Sequence, residues 1–161
     1  MSYKIGHGID VHQLVKGESL ILGGIKIKSD KGTLGHSDGD ALLHALTDAI
    51  LGALALGDIG TFFPSTEDKW KNANSQIFLN YALKQLKDNN YIINNIDINI
   101  ILQKPAINKY VKTIKKNLSK IINVNSNLIS IKATTTDFLG YIGENKGIAI
   151  HAMVLINHHE S

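Results

Sequence analysis

The chain of 161 residues contains no cysteine and no arginine, and each absence removes a class of chemistry. Without cysteine there are no disulfides, thiolate nucleophiles or sulfur-ligated metals, so a tightly held ion must rely on His, Asp or Glu. Without arginine there is no guanidinium fork to clamp phosphate bidentately. All 17 basic side chains are lysines, set against 14 acids for a net charge of +3. An anionic ligand would therefore have to be met by metal ions, backbone N–H groups, hydroxyls or lysines. No run reaches the ~18 apolar residues of a membrane span, and MSYKIGHGID has no apolar core of signal length. No repeat, linker or low-complexity segment interrupts the chain. At this length it reads as one soluble intracellular domain, able to bury about 70% of its unfolded surface.

What is present is concentrated between Gly35 and Gly60, GHSDGDALLHALTDAILGALALGDIG. The turn Asp38-Gly39-Asp40 opens it, with Ser37 or Asp38 able to accept a bond from the free N–H groups of a first helical turn. From Ala41 to Leu56 nearly every position is apolar, which predicts a helix buried on most sides, stopped by Gly57. His44 and Asp48 interrupt that face at i and i+4, on one side of the helix. A buried helix with a histidine one turn in, between turns rich in Asp and Gly, is a frame for chemistry without saying which chemistry.

Upstream, residues 1–13 predict a strand containing Asp10-Val11-His12. Residues i and i+2 share a strand face, so Asp10 and His12 project together as two ligands for a divalent metal. The same spacing also occurs as ordinary polar residues on an exposed edge strand. Adding His44 gives Asp/His/His with one coordination position open, the pattern of catalytic zinc. The plainer reading leaves His44 a satisfied core histidine and His36 a loop residue. Leu20–Leu22 and Ile25–Lys28 flank Gly23-Gly24 and predict a hairpin or a bulged strand. Asp58 to Thr66 is a loop in which Phe62 and Phe63 read as core anchors.

A second helix is expected from Ser75 to Asp88, capped by Asn74 or Ser75, with Ile77, Phe78, Tyr81 and Leu86 inward. A strand from Ile92 to Leu102 follows, then a turn through Pro105. A third helix from Asn108 to Ile122 sets Val111, Ile114, Leu118 and Ile121 on one face. The six lysines from Lys104 to Lys120 read as a solvated face rather than a nucleic-acid surface. Two strands close the chain, Leu128–Ala133 and Ile148–Ile156, separated by a loop at Phe138–Gly147. Thr134-Thr135-Thr136-Asp137 offers hydroxyls and a carboxylate for phosphate and an oxygen-preferring metal, although threonine also suits strands by shape alone. His158-His159 reads as a mobile tail. This order predicts an α+β fold, a mixed β-sheet with three helices packed on one face. The opposite sheet face, also largely apolar, needs cover, which self-association would supply.

The stretches IGHGIDVH, LGHSDGDALLHALTDAILGALALGDIGTFFP and IKATTTDFLG, in this order and spacing, resemble those of the 2-C-methyl-D-erythritol 2,4-cyclodiphosphate synthase family over essentially the whole chain. The resemblance implies a step of non-mevalonate isoprenoid biosynthesis that turns 4-diphosphocytidyl-2-C-methyl-D-erythritol 2-phosphate into a cyclodiphosphate and CMP. It implies that Asp10, His12 and His44 hold zinc, and that Asp137 holds magnesium or manganese. His36, Ser37, Asp58 and Gly60 would line the methylerythritol phosphate pocket, and Phe63 would also contact substrate. Leu102, Gln103, Lys104, Pro105, Ala106 and Ile107, with Ala133, Thr134 and Thr135, would hold the cytidine and its phosphates. Among these, His36, Asp58, Thr135 and Asp137 would act at the reacting groups. It further implies a homotrimer whose sheets face the threefold axis and whose active sites lie at subunit interfaces, with no nucleic acid or membrane partner. The setting would be bacterial cytoplasm, a mature plastid form being equally compatible.

Three positions depart from the family pattern. Asp137 stands where the family has glutamate, one methylene longer. Glu144 stands where arginine is common, so a ring of glutamates would repel diphosphate at the axis. His151 replaces a commonly acidic residue. Two rival readings remain open on the residues alone: a metal-dependent pyrophosphohydrolase and a non-catalytic nucleotide- or metal-binding module.

Overall fold

The computed structural model describes residues 2–159. In chain order the elements are β1 (Tyr3–Lys16), β2 (Leu20–Leu22), β3 (Ile25–Ile27), β4 (Lys31–Leu34), α1 (Ala41–Ala53), the short α2 (Ile59–Phe62), α3 (Gln76–Asp88), β5 (Tyr91–Ile101), α4 (Val111–Ile122), β6 (Ile129–Thr134), the short α5 (Gly140–Gly143) and β7 (Gly147–His158). Five strands form one sheet in the order β4-β1-β7-β5-β6, and β2 and β3 form a separate hairpin. Only β5 and β6 run parallel; the other pairs are antiparallel. The fold is mixed α+β, as the residue pattern implies.

Alternation along β1 decides what each sheet face meets. Gly6, Gly8 and Leu14 are buried, whereas Ile5, Ile9 and Val11 are 67%, 50% and 51% exposed. The glycines are there because α1 lies directly on the strand. A Cβ on Gly6 would fall 1.7 Å from the Ala49 carbonyl oxygen, and one on Gly8 would fall 1.9 Å from that of Ala45. Helix and strand backbones thus touch, with Asp10 and His12 continuing along the same strand toward the start of α1. Around this contact α1, α3 and α4 join the inward residues of β1, β5, β6 and β7 in one apolar core. The outward face keeps Ile5, Ile9, Val11 and Met153 exposed.

Several local expectations need correction. The N-cap of α1 is Asp40, not Ser37 or Asp38: its Oδ1 accepts the Leu43 N–H at 3.0 Å. The same carboxylate accepts N–H bonds from Gly23 and Gly24, so it also ties the β2–β3 hairpin to the helix. Burial pushes this carboxyl up to about 6, against the three amide donors that favour its charged form. Helix α1 stops at Ala53, short of Leu56. Ala55 takes φ +60°, its N–H donating to Gly52 O and that of Leu56 to Leu51 O, a Schellman stop without glycine. Strand β4 is an element that KGTL does not announce. It exists because it pairs with Gln13–Lys16 at the end of β1. Ile77 is exposed, and Leu79 and Ala82 take the inward positions of α3. His158 is no mobile tail: it is the last residue of β7, paired with Tyr91, and the His159 N–H donates to Asn90 O.

Candidate active site

Asp10, His12 and His44 form the one group of three or more potential ligands whose donor atoms all lie within 4.8 Å of one another among the described residues. Nδ1 of His12 and Nδ1 of His44 stand 3.0 and 3.1 Å from the same oxygen, Oδ2 of Asp10. His12 Nδ1 is buried and has no aligned hydrogen-bond partner despite that proximity. Buried nitrogens are rarely left in this way. An orphaned imidazole nitrogen converging with a carboxylate and a second imidazole fits a divalent ion accepting all three donors.

The far side of His44 is also held. Its Nε2 lies 2.8 Å from Ser75 Oγ and 3.1 Å from Ser37 Oγ. Ser75 is fully buried, donates its hydroxyl to Asp38 through a very short contact, and gives its N–H to the other Asp38 oxygen at 3.0 Å. With Ser75 committed as donor to Asp38, it accepts from His44 Nε2–H, leaving the Nδ1 lone pair for Asp10's side of the cluster. Second-layer bonds of this kind fix ligand tautomer and ring orientation. Sequence reasoning missed Ser75, which it treated only as a helix cap. Burial alone would raise the Asp10 carboxyl, but the two histidines beside it outweigh that effect and hold it below its ordinary value. Burial likewise disfavours charge on His44, and Asp10 more than compensates, raising it.

Beside the cluster opens a cavity of about 280 Å³ whose lining includes His36, Ser37, Gly60 and Phe63, four of the expected substrate-contacting residues. Phe63 packs against Trp70, Phe78 and Tyr81 as an aromatic wall, whereas Phe62 meets Tyr81 and the core. His36 is anchored at Glu67 O, 3.3 Å away. Asp48 does not join the metal cluster, although it shares a helix side with His44. Its Oδ1 accepts the Ile59 N–H at 2.7 Å and so holds the start of α2, which carries Gly60. Asp58 is absent from the cavity lining. Its Oδ1 accepts both the hydroxyl and the N–H of Thr61, capping α2, and those bonds keep its carboxyl below the ordinary range.

The remaining expected residues gather elsewhere. A second cavity, of about 310 Å³, is lined by Leu102, Gln103, Ala106, Ile107 and Ala133–Thr135, beyond the ends of β5 and β6. Lys104 and Pro105, joined by a cis peptide bond, border a neighbouring depression with Lys28, Lys31 and Lys109. Asp137 is exposed at φ +50°, its carboxylate 3.4 Å from the Thr135 hydroxyl. The following Phe138, also at positive φ, donates its N–H to Gln103 Oε1. Register places Asp10, Ile150, Ile100 and Ala133 in one row across β1, β7, β5 and β6. The two halves are therefore three strand steps apart, or about 14 Å. One chain does not bring Asp137 to the Asp10–His12–His44 cluster.

No helix of the described residues is long and apolar enough to cross a membrane. Residues 3–157 match the model of the YgbB family. The 2-C-methyl-D-erythritol 2,4-cyclodiphosphate synthase of Francisella philomiragia is 49% identical over 98% of this chain and 99% of its own length. That of Fusobacterium nucleatum is 47% identical, over 95% and 96%. The solved CDP complex of Plasmodium falciparum IspF superposes with a TM-score of 0.88 at 41% identity, over 99% of this chain and 98% of that one.

Proposed function

The chain belongs to the YgbB family, among the 2-C-methyl-D-erythritol 2,4-cyclodiphosphate synthases, and from that premise we propose that it acts as one such domain over residues 1–161. Its reaction is intramolecular phosphoryl transfer, in the lyase class. An oxygen of the 2-phosphate of 4-diphosphocytidyl-2-C-methyl-D-erythritol 2-phosphate bonds to the β-phosphorus. The bond from that phosphorus to the oxygen bridging to the α-phosphate breaks, CMP leaves, and an eight-membered cyclodiphosphate closes.

The observation that carries this reading is the orphaned His12 nitrogen converging with Asp10 and His44 beside the cavity lined by His36 and Ser37. Zinc on these three residues, and magnesium or manganese on Asp137, would neutralise the crowded phosphates and stabilise charge on the departing CMP. The chain's own task is positional. The nucleophile is part of the substrate, so no activated serine or cysteine is needed, only alignment of attacking and leaving oxygens. His36, Ser37, Gly60 and Phe63 bind the methylerythritol phosphate end, and Asp58 anchors the turn that presents Gly60. Leu102–Ile107 and Ala133–Thr135 hold the cytidine, and Thr135 orients Asp137.

The separation of about 14 Å between the halves is beyond the reach of two ions sharing one diphosphate. It favours a site assembled from two copies, and the apolar outward face of β1 and β7 favours a homotrimer that covers it. Bacterial cytoplasm, or a plastid for a mature form, suits this pathway. Turnover in oxygen-18 water tests the reaction type. Cyclisation incorporates no solvent oxygen into CMP or the diphosphate product; label in either one would assign a hydrolase instead.

A further inference from the structure

On the opposite face of the sheet from the Asp10 cluster, two more histidines meet that the reaction does not use. His7 on β1 and His151 on β7 both point outward, lying diagonally across the antiparallel pair, where His7 opposes Met153 and Ile9 opposes His151. Nε2 of His7 stands 3.3 Å from Nδ1 of His151, with ring centroids 5.4 Å apart and planes tilted by 32°. Two imidazole nitrogens on neighbouring positions of one ion at ~2.0 Å are about 2.8 Å apart in a tetragonal site and about 3.3 Å apart in a tetrahedral one. The pair thus stands within about 0.5 Å of the spacing that tetragonal copper requires. The register adds two candidate donors on the same face: the thioether of Met153, opposite His7, and the amide of Asn99, opposite His151.

From this cluster we propose that His7 and His151 chelate a copper ion on the outward face of the sheet. Imidazole and thioether are borderline-to-soft donors, and among divalent first-row metals copper binds nitrogen sites most tightly. The carboxylate in this register, Asp97 opposite Met153, is held by Lys132 Nζ at 2.5 Å, so imidazoles and a thioether rather than a free carboxylate face an incoming ion, a set that suits copper better than magnesium. The site belongs to the single chain and does not depend on the proposed catalytic reaction. Should three copies face an axis, the pair repeats three times and each ion gains further imidazoles.

The test is calorimetric titration of the zinc-loaded protein with Cu²⁺, together with electron paramagnetic resonance. Wild type is expected to show a copper site with two-nitrogen coordination, weakened at least about ten-fold by His7→Ala and by His151→Ala. The Asp10 cluster is common to all these proteins, so the difference reports the pair. His158→Ala should leave the site unchanged. Equal isotherms for wild type and both pair variants would overturn the proposal, as would loss of the site in His158→Ala. A second measurement needs no variant and no access by a reagent: Cu²⁺ should broaden the imidazole resonances of His7 and His151 in the NMR spectrum of the wild type. Unchanged resonances of both at saturating copper would equally contradict the chelate.

Discussion

The two halves of the candidate site are built in opposite ways. In the proposed metal half the side chains around His44 are held by other parts of the chain: His44 between Asp10 and Ser75, Ser75 by Asp38, and α1 pressed onto Gly6 and Gly8. In the proposed nucleotide half Thr134, Thr135 and Asp137 are exposed, and Asp137 and Phe138 sit at positive φ with few partners. The first half is organised by the fold before anything binds. The second is open at the end of the sheet and needs ligand, or a second copy, to complete its contacts. On the proposed function, the preorganised half is where a metal's geometry would have to be met within tenths of an ångström, and the open half is where a large substrate would enter and leave.

This contrast can be broken most forcefully at its organised end. His44→Ala removes one ligand of three, and metal retention and turnover should vanish together, measured by metal analysis and CMP release. Full activity in that metal-depleted variant would sink the assignment. Asp137→Ala strikes the open half, and the outcome should split. Turnover should fall by about two orders of magnitude or more, while zinc content stays at the wild-type level.

Subtler changes sharpen the comparison. Ser75→Ala leaves all three ligands but frees the far side of His44, so zinc affinity should drop by about 10–100-fold in a chelator competition. Gly8→Ala places a methyl group against the Ala45 carbonyl and should cost about 1–3 kcal/mol in urea unfolding. Gly52→Ala supplies the contrasting control on the same helix. It meets nothing within 4 Å, and replacing glycine in a helix should stabilise the protein by about 0.5–1 kcal/mol.

Much of the organised half was legible in the sequence because its signals are local. Asp10 and His12 share a strand face by period, and His44 stands at a fixed height on a strongly apolar helix. What was not legible depends on contacts distant in the chain. Ser75 reads as a helix cap until the fold sets it against His44, 31 residues away. β4 has little strand character of its own and exists through pairing with β1. The stop at Ala55 was hidden because glycine at 57 offered the more obvious signal. The pairing of His7 with His151, 144 residues apart, follows only from the β1–β7 register. In the open half Thr134–Asp137 were legible as a run of hydroxyls ending in a carboxylate, whereas Leu102 and Ile107 are buried in the core, read only as apolar positions, and owe their naming to the family resemblance.

The most direct test of the central claim is phosphorus NMR of the purified protein with 4-diphosphocytidyl-2-C-methyl-D-erythritol 2-phosphate, zinc and magnesium. The account predicts CMP together with two coupled diphosphate resonances of a cyclic product, which would also show that aspartate at position 137 suffices for the second metal. CMP accompanied by an acyclic bisphosphate, or an unchanged spectrum from folded, zinc-loaded protein, would contradict it.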